Sequence, residues 1–182
     1  MKRGVITILT NQPSFLIRTA RETDAKELVQ VRLQLDGETE NMDRQKGEAY
    51  LDEAAFTQLI RDDCENARHL FLVAERNGII AGFSRCEGNE LKRMAHKVEF
   101  GVGILREYWG FGIGRQLLEQ SIQWAGDHAD IKKMQLSVLH TNDRAIALYK
   151  KLGFEVEGVL KKDKLLSDGK YYDTILMGKW LR

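Results

Sequence analysis

The sequence predicts an α/β fold: a single mixed, largely antiparallel sheet with flanking helices. Three observations lead there. Apolar residues alternate with a period of two in several short runs and recur at helical spacing in others. The runs follow the order strand, two helices, a meander, helix, strand, helix and a closing hairpin, which suits one mixed sheet covered by helices. Between the meander and its helix lies a strand that passes through a glycine-dense turn, V-E-F-G-V-G-I-L-R-E-Y-W-G-F-G-I-G-R-Q-L-L over 98–118.

With 182 residues, 43% hydrophobic and 30% charged, one substantial core is expected. A short leader over 1–14 is expected to be set off by Pro13, the only proline, with one domain over 15–182. The leader's apolar run is too short for a secretory segment, and no stretch approaches the twenty apolar residues of a membrane span. A formal net charge of +1 supplies no global field for nucleic acid or an anionic membrane, so neither is expected as a partner. Cys64 and Cys86 read as free thiols in a reducing cytoplasm.

Residues 15–19 (F-L-I-R-T) read as the first strand. Thr23 or Asp24 caps a helix to about 35 that turns Leu28, Val31 and Leu35 inward. The polar stretch 36–47 reads as a loop, and about 48–65 as a second helix carrying Leu51, Ala55, Leu59 and Ile60 near one face. Residues 70–75 and 79–86 are β-rich and flank Asn77-Gly78, a strong hairpin signal. Over about 93–105, Val98, Phe100, Val102 and Ile104 alternate with Glu99, Gly101 and Gly103 as in a strand. A helix over 112–128 offers Leu117, Leu118, Ile122 and Ala125 to the core. A strand at 134–139 leads to a helix that starts at an Asn142 cap and stops at Gly153. Strands at 154–160 and 172–180, with Asp168-Gly169 turning between them, close the chain.

Gly110, Gly112 and Gly114 put no Cβ in front of the backbone, and φ there is free to go positive. A strand feeding such a turn and then a helix N-terminus aims several unpaired N–H groups at one point, which suits an anion. The run G-F-G-I-G lacks the Lys-Ser/Thr of a phosphate-loop motif and the early β-α-β setting of a dinucleotide fold.

Two motifs here resemble those of the GNAT family of N-acetyltransferases, particularly its bacterial ribosomal-protein, polyamine and phosphinothricin acetyltransferase-like members. The family's Arg/Gln-x-x-Gly-x-Gly/Ala pattern falls on Trp109, Gly110, Phe111, Gly112, Ile113 and Gly114, with Trp109 departing from it. Its N-x-x-A-x-x-L-Y-x-x-x-G-F pattern is matched by Asn142, Ala145, Leu148, Tyr149, Gly153 and Phe154. The resemblance covers roughly 15–181 and implies the acyl-CoA N-acyltransferase fold with a splayed strand pair. It also implies acetyl-CoA as co-substrate, and direct acetyl transfer to a primary amine on a small molecule or a peptide N-terminus.

Carried over residue by residue, the resemblance implies pantetheine contacts at Ile104 and Leu105. The amides around Phe111, Gly112, Ile113, Gly114 and Arg115 would cradle the pyrophosphate. Arg115 and Arg106 offer charge to the phosphates, or stand as solvated surface arginines. Asn142 caps its helix or lies along the cofactor rim, and Arg144 reaches towards the phosphates. Tyr149 is the implied acid for the departing thiolate, against the alternative of an amphipathic core tyrosine. Glu99 is the leading candidate base, with His96 as an alternative relay. Glu38, Glu40 and Asp43 in the polar loop would attract a cationic amine or simply be hydrated. Tyr171, Tyr172 and Asp173 would border the acceptor site.

No zinc spacing links His69, His96, His128 and His140, and no metal is expected. A non-catalytic acyl-CoA sensor is the alternative function. The resemblance also allows a homodimer through the terminal hairpin.

Overall fold

The computed structural model describes residues 14–181; the leader expected over 1–14, with Pro13, lies outside the described residues apart from Ser14. Seven strands form one open sheet in the order β1-β2-β3-β4-β5-β7-β6. These are β1 (Leu16–Thr19), β2 (Leu70–Arg76), β3 (Ile79–Gly88), β4 (Lys97–Ile104), β5 (Lys133–Leu139), β6 (Glu155–Leu165) and β7 (Tyr171–Trp180). Among the described residues, only the β4–β5 pair is parallel. Four helices accompany them: α1 (Ala25–Glu38), α2 (Glu53–Glu65), α3 (Ile113–Asp127) and α4 (Asp143–Lys151). The expected mixed, largely antiparallel sheet with flanking helices is found.

Local chemistry explains most boundaries. Asn77 and Gly78 both take positive φ, 53° and 78°, as a tight hairpin between right-twisted strands requires. At the end of α4, Gly153 sits at φ 85°, its N–H bonds Lys150 O at 3.1 Å, and Phe154 N–H bonds Tyr149 O at 3.0 Å. That pair of bonds is a Schellman stop.

Two boundaries depart from expectation. Helix α1 runs through Glu38 rather than ending near 35, because Asp36 is buried and ion-paired to Arg44 at 3.1 Å. Helix α2 starts at Glu53 rather than near 48, where Asp52 accepts a bond from Ala55 N–H at 2.8 Å. Positive φ at Gly47 and Ala49 rules out helix just before it.

The sheet carries apolar layers on both faces. Leu28, Leu35, Phe56, Ile60, Phe71 and Val73 pack under α1 and α2. Val98, Phe100, Leu118, Met134, Leu136, Tyr149 and Met177 pack on the α3 and α4 side. Strand parity sends even-numbered β4 residues to that second side and Glu99, Gly101 and Gly103 to the first. Gly103 there lets Leu35 close on the strand: a Cβ would lie 2.7 Å from Leu35 Cδ1.

The feature that positions the site is the parting of β4 from β5. They pair only at Lys97–Lys133, Val98–Met134 and Glu99–Gln135. Beyond that rung β4 continues along β3 to Ile104, and β5 continues along β7 to Leu139. The expected splayed strand pair is present.

Gly82 holds the β3–β4 contact at the open end. A Cβ there would meet Gly103 O at 2.5 Å and Ile104 Cα at 2.9 Å, both backbone atoms. Gly82→Ala is expected to destabilise the fold by about 2 kcal/mol, read as a lower urea midpoint with an unchanged slope.

Candidate active site

The gap between β4 and β5 continues into a cleft of about 450 Å³ whose far wall is the N-terminus of α3. Its chemistry starts with the β4 backbone. Leu105 N–H bonds Ala81 O at 2.9 Å, so pairing with β3 alternates back along the strand. The peptide groups of Val102 and Ile104 therefore point away from β3, into the gap, where β5 no longer meets them. Both residues line the cleft.

At the helix end, Gly110 (φ 95°) and Gly112 (φ 77°) adopt conformations that side chains rarely take. A Cβ at Gly110 or Gly114 would touch nothing within 4 Å, so the approach to this backbone is open. The first intrahelical bond is Gln116 N–H to Gly112 O, at 3.1 Å. The amides of Ile113, Gly114 and Arg115 precede it and have no intrahelical acceptor. Together with the helix dipole they form an anion cradle built from neutral groups.

Most of the residues expected at a cofactor site meet here. Ile104, Gly112, Ile113, Gly114, Arg115, Asn142, Arg144 and Tyr149 all line the cleft. Asn142 Oδ1 accepts from Ala145 N–H at 3.3 Å, so its capping role is present alongside its place on the rim. Arg115 lines the cleft and turns its guanidinium along α3 to Glu119, at 2.8 Å. Arg144 is exposed on the rim.

Two of the expected cofactor residues do not line it. Leu105 is buried under α1 and α2, its N–H is held by Ala81 and its carbonyl by Tyr108 N–H. Val102 takes its place, a residue that strand parity with Ile104 could have indicated. Phe111 turns its ring into the core against Phe15, 6.0 Å between centroids, and is absent from the lining. Leu35, Thr39, Asn41 and Met42 from α1 and its following loop, and Trp109, complete the wall. The sequence carried no local signal for the α1 contribution.

Tyr149 is 7% exposed, and its ring packs against Phe154 while its side chain borders the cleft. Burial pushes its phenol up to about 12. A neutral phenol facing a cleft can donate a proton throughout the neutral range.

Glu99 is placed differently from expectation. It is exposed, on the sheet face opposite Tyr149, at the last rung of the β4–β5 pairing. It lines a separate pocket with Glu87, Met94, Lys97 and Gln135 rather than the main cleft. The expected partial burial is not found, because no helix covers this part of the sheet. His96 lies tilted against Trp180, 6.3 Å between centroids, and does not line the cleft either.

The acids of the 36–47 loop are largely engaged within the protein. Glu38 accepts from Arg106 N–H at 2.7 Å, Glu40 from Ser167 N–H at 2.8 Å, and Asp43 pairs with Lys164. Glu40 and Asp43 tie the loop to the β6–β7 hairpin, and Glu38 ties the end of α1 to the segment after β4. A second chamber of about 490 Å³ lies between these parts and contains Glu38, Glu40, Thr141 and Tyr172. It shares Thr39 and Asn41 with the cleft, so the two adjoin.

Cys86 is buried, with its thiol pushed up to about 12 by desolvation, and Cys64 lies exposed on α2. Neither lines the cleft. Among the described residues, no group of three His, Cys, Asp or Glu could hold a metal ion, and no helix is long and apolar enough to cross a membrane.

Comparison with known proteins agrees with this geometry. The family model described as acetyltransferase (GNAT) family matches residues 35–154. A GNAT-family acetyltransferase structure from Streptococcus pneumoniae superposes with a TM-score of 0.89 at 31% identity, covering 92% of this chain and 100% of that one. The L-amino acid N-acetyltransferase AaaT of Escherichia coli is 30% identical over 59% of this chain and 66% of its own length. The chain thus spans just under two thirds of that relative. The Salmonella typhimurium protein yncA, solved with its cofactor acetyl-CoA, shares the fold with a TM-score of 0.82 at 20% identity, over 93% of this chain and 95% of its own.

The Asn142 cap gives a direct check on the rim. Asn142→Ala is expected to cost about 1 kcal/mol, seen as a drop of about 3 °C in Tm by calorimetry.

Proposed function

The chain belongs to the acetyltransferase (GNAT) family, and from that premise we propose that it transfers the acetyl group of acetyl-CoA to a primary amine. The acceptor is a small molecule or a peptide N-terminus, and transfer is direct, within a ternary complex. One observation carries this reading: the gap-facing β4 residues Val102 and Ile104, the amide cradle of α3 and Tyr149 all border one cleft.

The residues present suit such a co-substrate. The Gly112–Arg115 backbone would hold the pyrophosphate by N–H donors, which explains how a chain of net charge +1 can bind a polyanion. Val102 and Ile104 would pair with the pantetheine as an additional strand pairs with a free edge. Arg144 on the rim would add charge near the phosphates. Bound acetyl-CoA supplies an activated thioester carbonyl. A gap-facing N–H of β4 would polarise that carbonyl, and Tyr149 would hold the proton that the leaving sulfur takes up.

The amine would enter from the α1 and α2 face, through the chamber that shares Thr39 and Asn41 with the cleft. Glu99 lies on this face at the apex of the parted strands. We assign it the role of base, acting through water rather than by direct contact. Two neutral or engaged walls, rather than a field of free carboxylates, then select the acceptor.

Strand β6 is one of the two sheet edges, and Val156, Val159, Leu160 and Leu165 along it are exposed. These apolar residues stand among charged ones, and we propose that this edge supports a homodimer. We place the protein in the cytoplasm, where two unpaired cysteines stay reduced.

The reading is tested by following free CoA release from acetyl-CoA with amino acids, polyamines, amino sugars and peptides as acceptors. Undetectable binding of acetyl-CoA by calorimetry would refute it. Tyr149→Phe is expected to lower kcat about 100-fold with the Kd for acetyl-CoA unchanged. Because burial raises the phenol to about 12, its proton-bearing form persists on the alkaline side. The wild-type kcat should therefore not decline through loss of this acid between about pH 7 and 10. A fall there that Tyr149→Phe abolishes would contradict the upward shift of the phenol, and a Tyr149→Phe variant with unchanged kcat would contradict its role as acid.

A further inference from the structure

Ile104 ends β4, and its carbonyl points into the gap. It already has a donor: Trp109 Nε1–H, at 2.7 Å. The indole lines the cleft and is 41% exposed, so it lies across the end of the strand rather than in the core. The Arg106 guanidinium sits over its ring at 5.6 Å. Arg106 is held in turn by Glu38 at the end of α1, through its backbone N–H to Oε2 at 2.7 Å and through its side chain to the Glu38 carbonyl. The ring is thus clasped from the acceptor-side loop onto the backbone group that a strand-like ligand requires.

We propose that Trp109 is a positioning residue that competes with the pantetheine arm for the Ile104 carbonyl, so that coenzyme binding displaces the indole. The proposal rests on the acyl-CoA reading of the cleft. The pantetheine arm is a chain of secondary amides, and its N–H groups lose water on entering an apolar gap. Only alternate carbonyls of a free strand edge face it, and along the parted stretch of β4 these include Val102 and Ile104. A ring as large as indole on the gap side of the Ile104 carbonyl blocks the approach that a second donor needs. Its departure would also release the Arg106 side chain from the ring, and Arg106 contacts the loop that walls the acceptor chamber.

Trp109→Phe removes the N–H but keeps an aromatic ring for Arg106. Calorimetric titration of wild type and variant would use two probes, coenzyme A and its nucleotide half, 3′-phosphoadenosine 5′-diphosphate. Removing one competing hydrogen bond of ordinary strength is expected to tighten coenzyme A binding about fivefold, with the nucleotide half unaffected. Unchanged or weaker coenzyme A binding would overturn the proposal, as would equal tightening for both probes.

A second readout uses the wild-type chain. Saturation with coenzyme A should shift tryptophan emission to longer wavelength as the indole leaves its clasp. Trp109→Phe, which retains Trp124 and Trp180, should lack that shift. Wild-type emission unchanged at saturation overturns the clasp. Failure of the wild type to bind either probe overturns the acyl-CoA reading as well, which separates the two failures.

Discussion

The structure depends on one constraint: backbone peptide groups need hydrogen-bond partners, and β4 cannot give all of its own to neighbouring strands. Three rungs join β4 to β5, and then the strands part. Each is held on its other side, β4 by β3 and β5 by β7, so the gap is bounded by two anchored strands. The anchoring relies on close contact: Gly82 leaves the room that β4 occupies, and Gly103 admits Leu35. A rigid edge whose gap-facing peptide groups no neighbouring strand pairs is what an extended amide chain can complete.

The anion recognition proposed for the same cleft rests on backbone geometry rather than on charge. The glycines that precede α3 let the chain turn with positive φ and expose its first amides. The nearby arginines contribute unequally, since Arg115 is drawn along the helix to Glu119 while Arg144 remains on the rim. Across the sheet, charge is used structurally. Asp63 is buried between Arg85 and His69, and Asp36 is buried against Arg44. The loop after α1 is bound to the terminal hairpin through Glu40 and Asp43. Ion pairs therefore shape the loop beside the cleft, and neutral donors face the cleft from the start of α3.

Legibility followed locality. The Asn77-Gly78 hairpin, the Gly153 stop and the Asn142 cap depend on residues within a few positions of one another, and all are present as read. So is the αL turn at Gly110 and Gly112. Errors arose where distant residues intervened. Helix α1 continues because Arg44 neutralises a buried Asp36, which helix periodicity does not register. Phe111 lies in the motif, where its amide is the expected contact, and the direction of its ring was not legible: it faces Phe15, nearly a hundred positions earlier. Glu99 has the right strand and parity, but no helix covers that stretch of sheet, and burial was the property its expected role required.

By itself the sequence determined the order of elements, the glycine turn that opens α3, the capped α4 and the position of Tyr149 on it. Short-range sterics and hydrogen bonds decide those features, and a motif records them. Only the tertiary structure decided which β4 peptide groups face the gap, that Val102 rather than Leu105 shares it with Ile104, and that Trp109 already bonds the Ile104 carbonyl. Those outcomes hang on the register of β4 against β3, and register is a relation between segments that neither segment encodes alone.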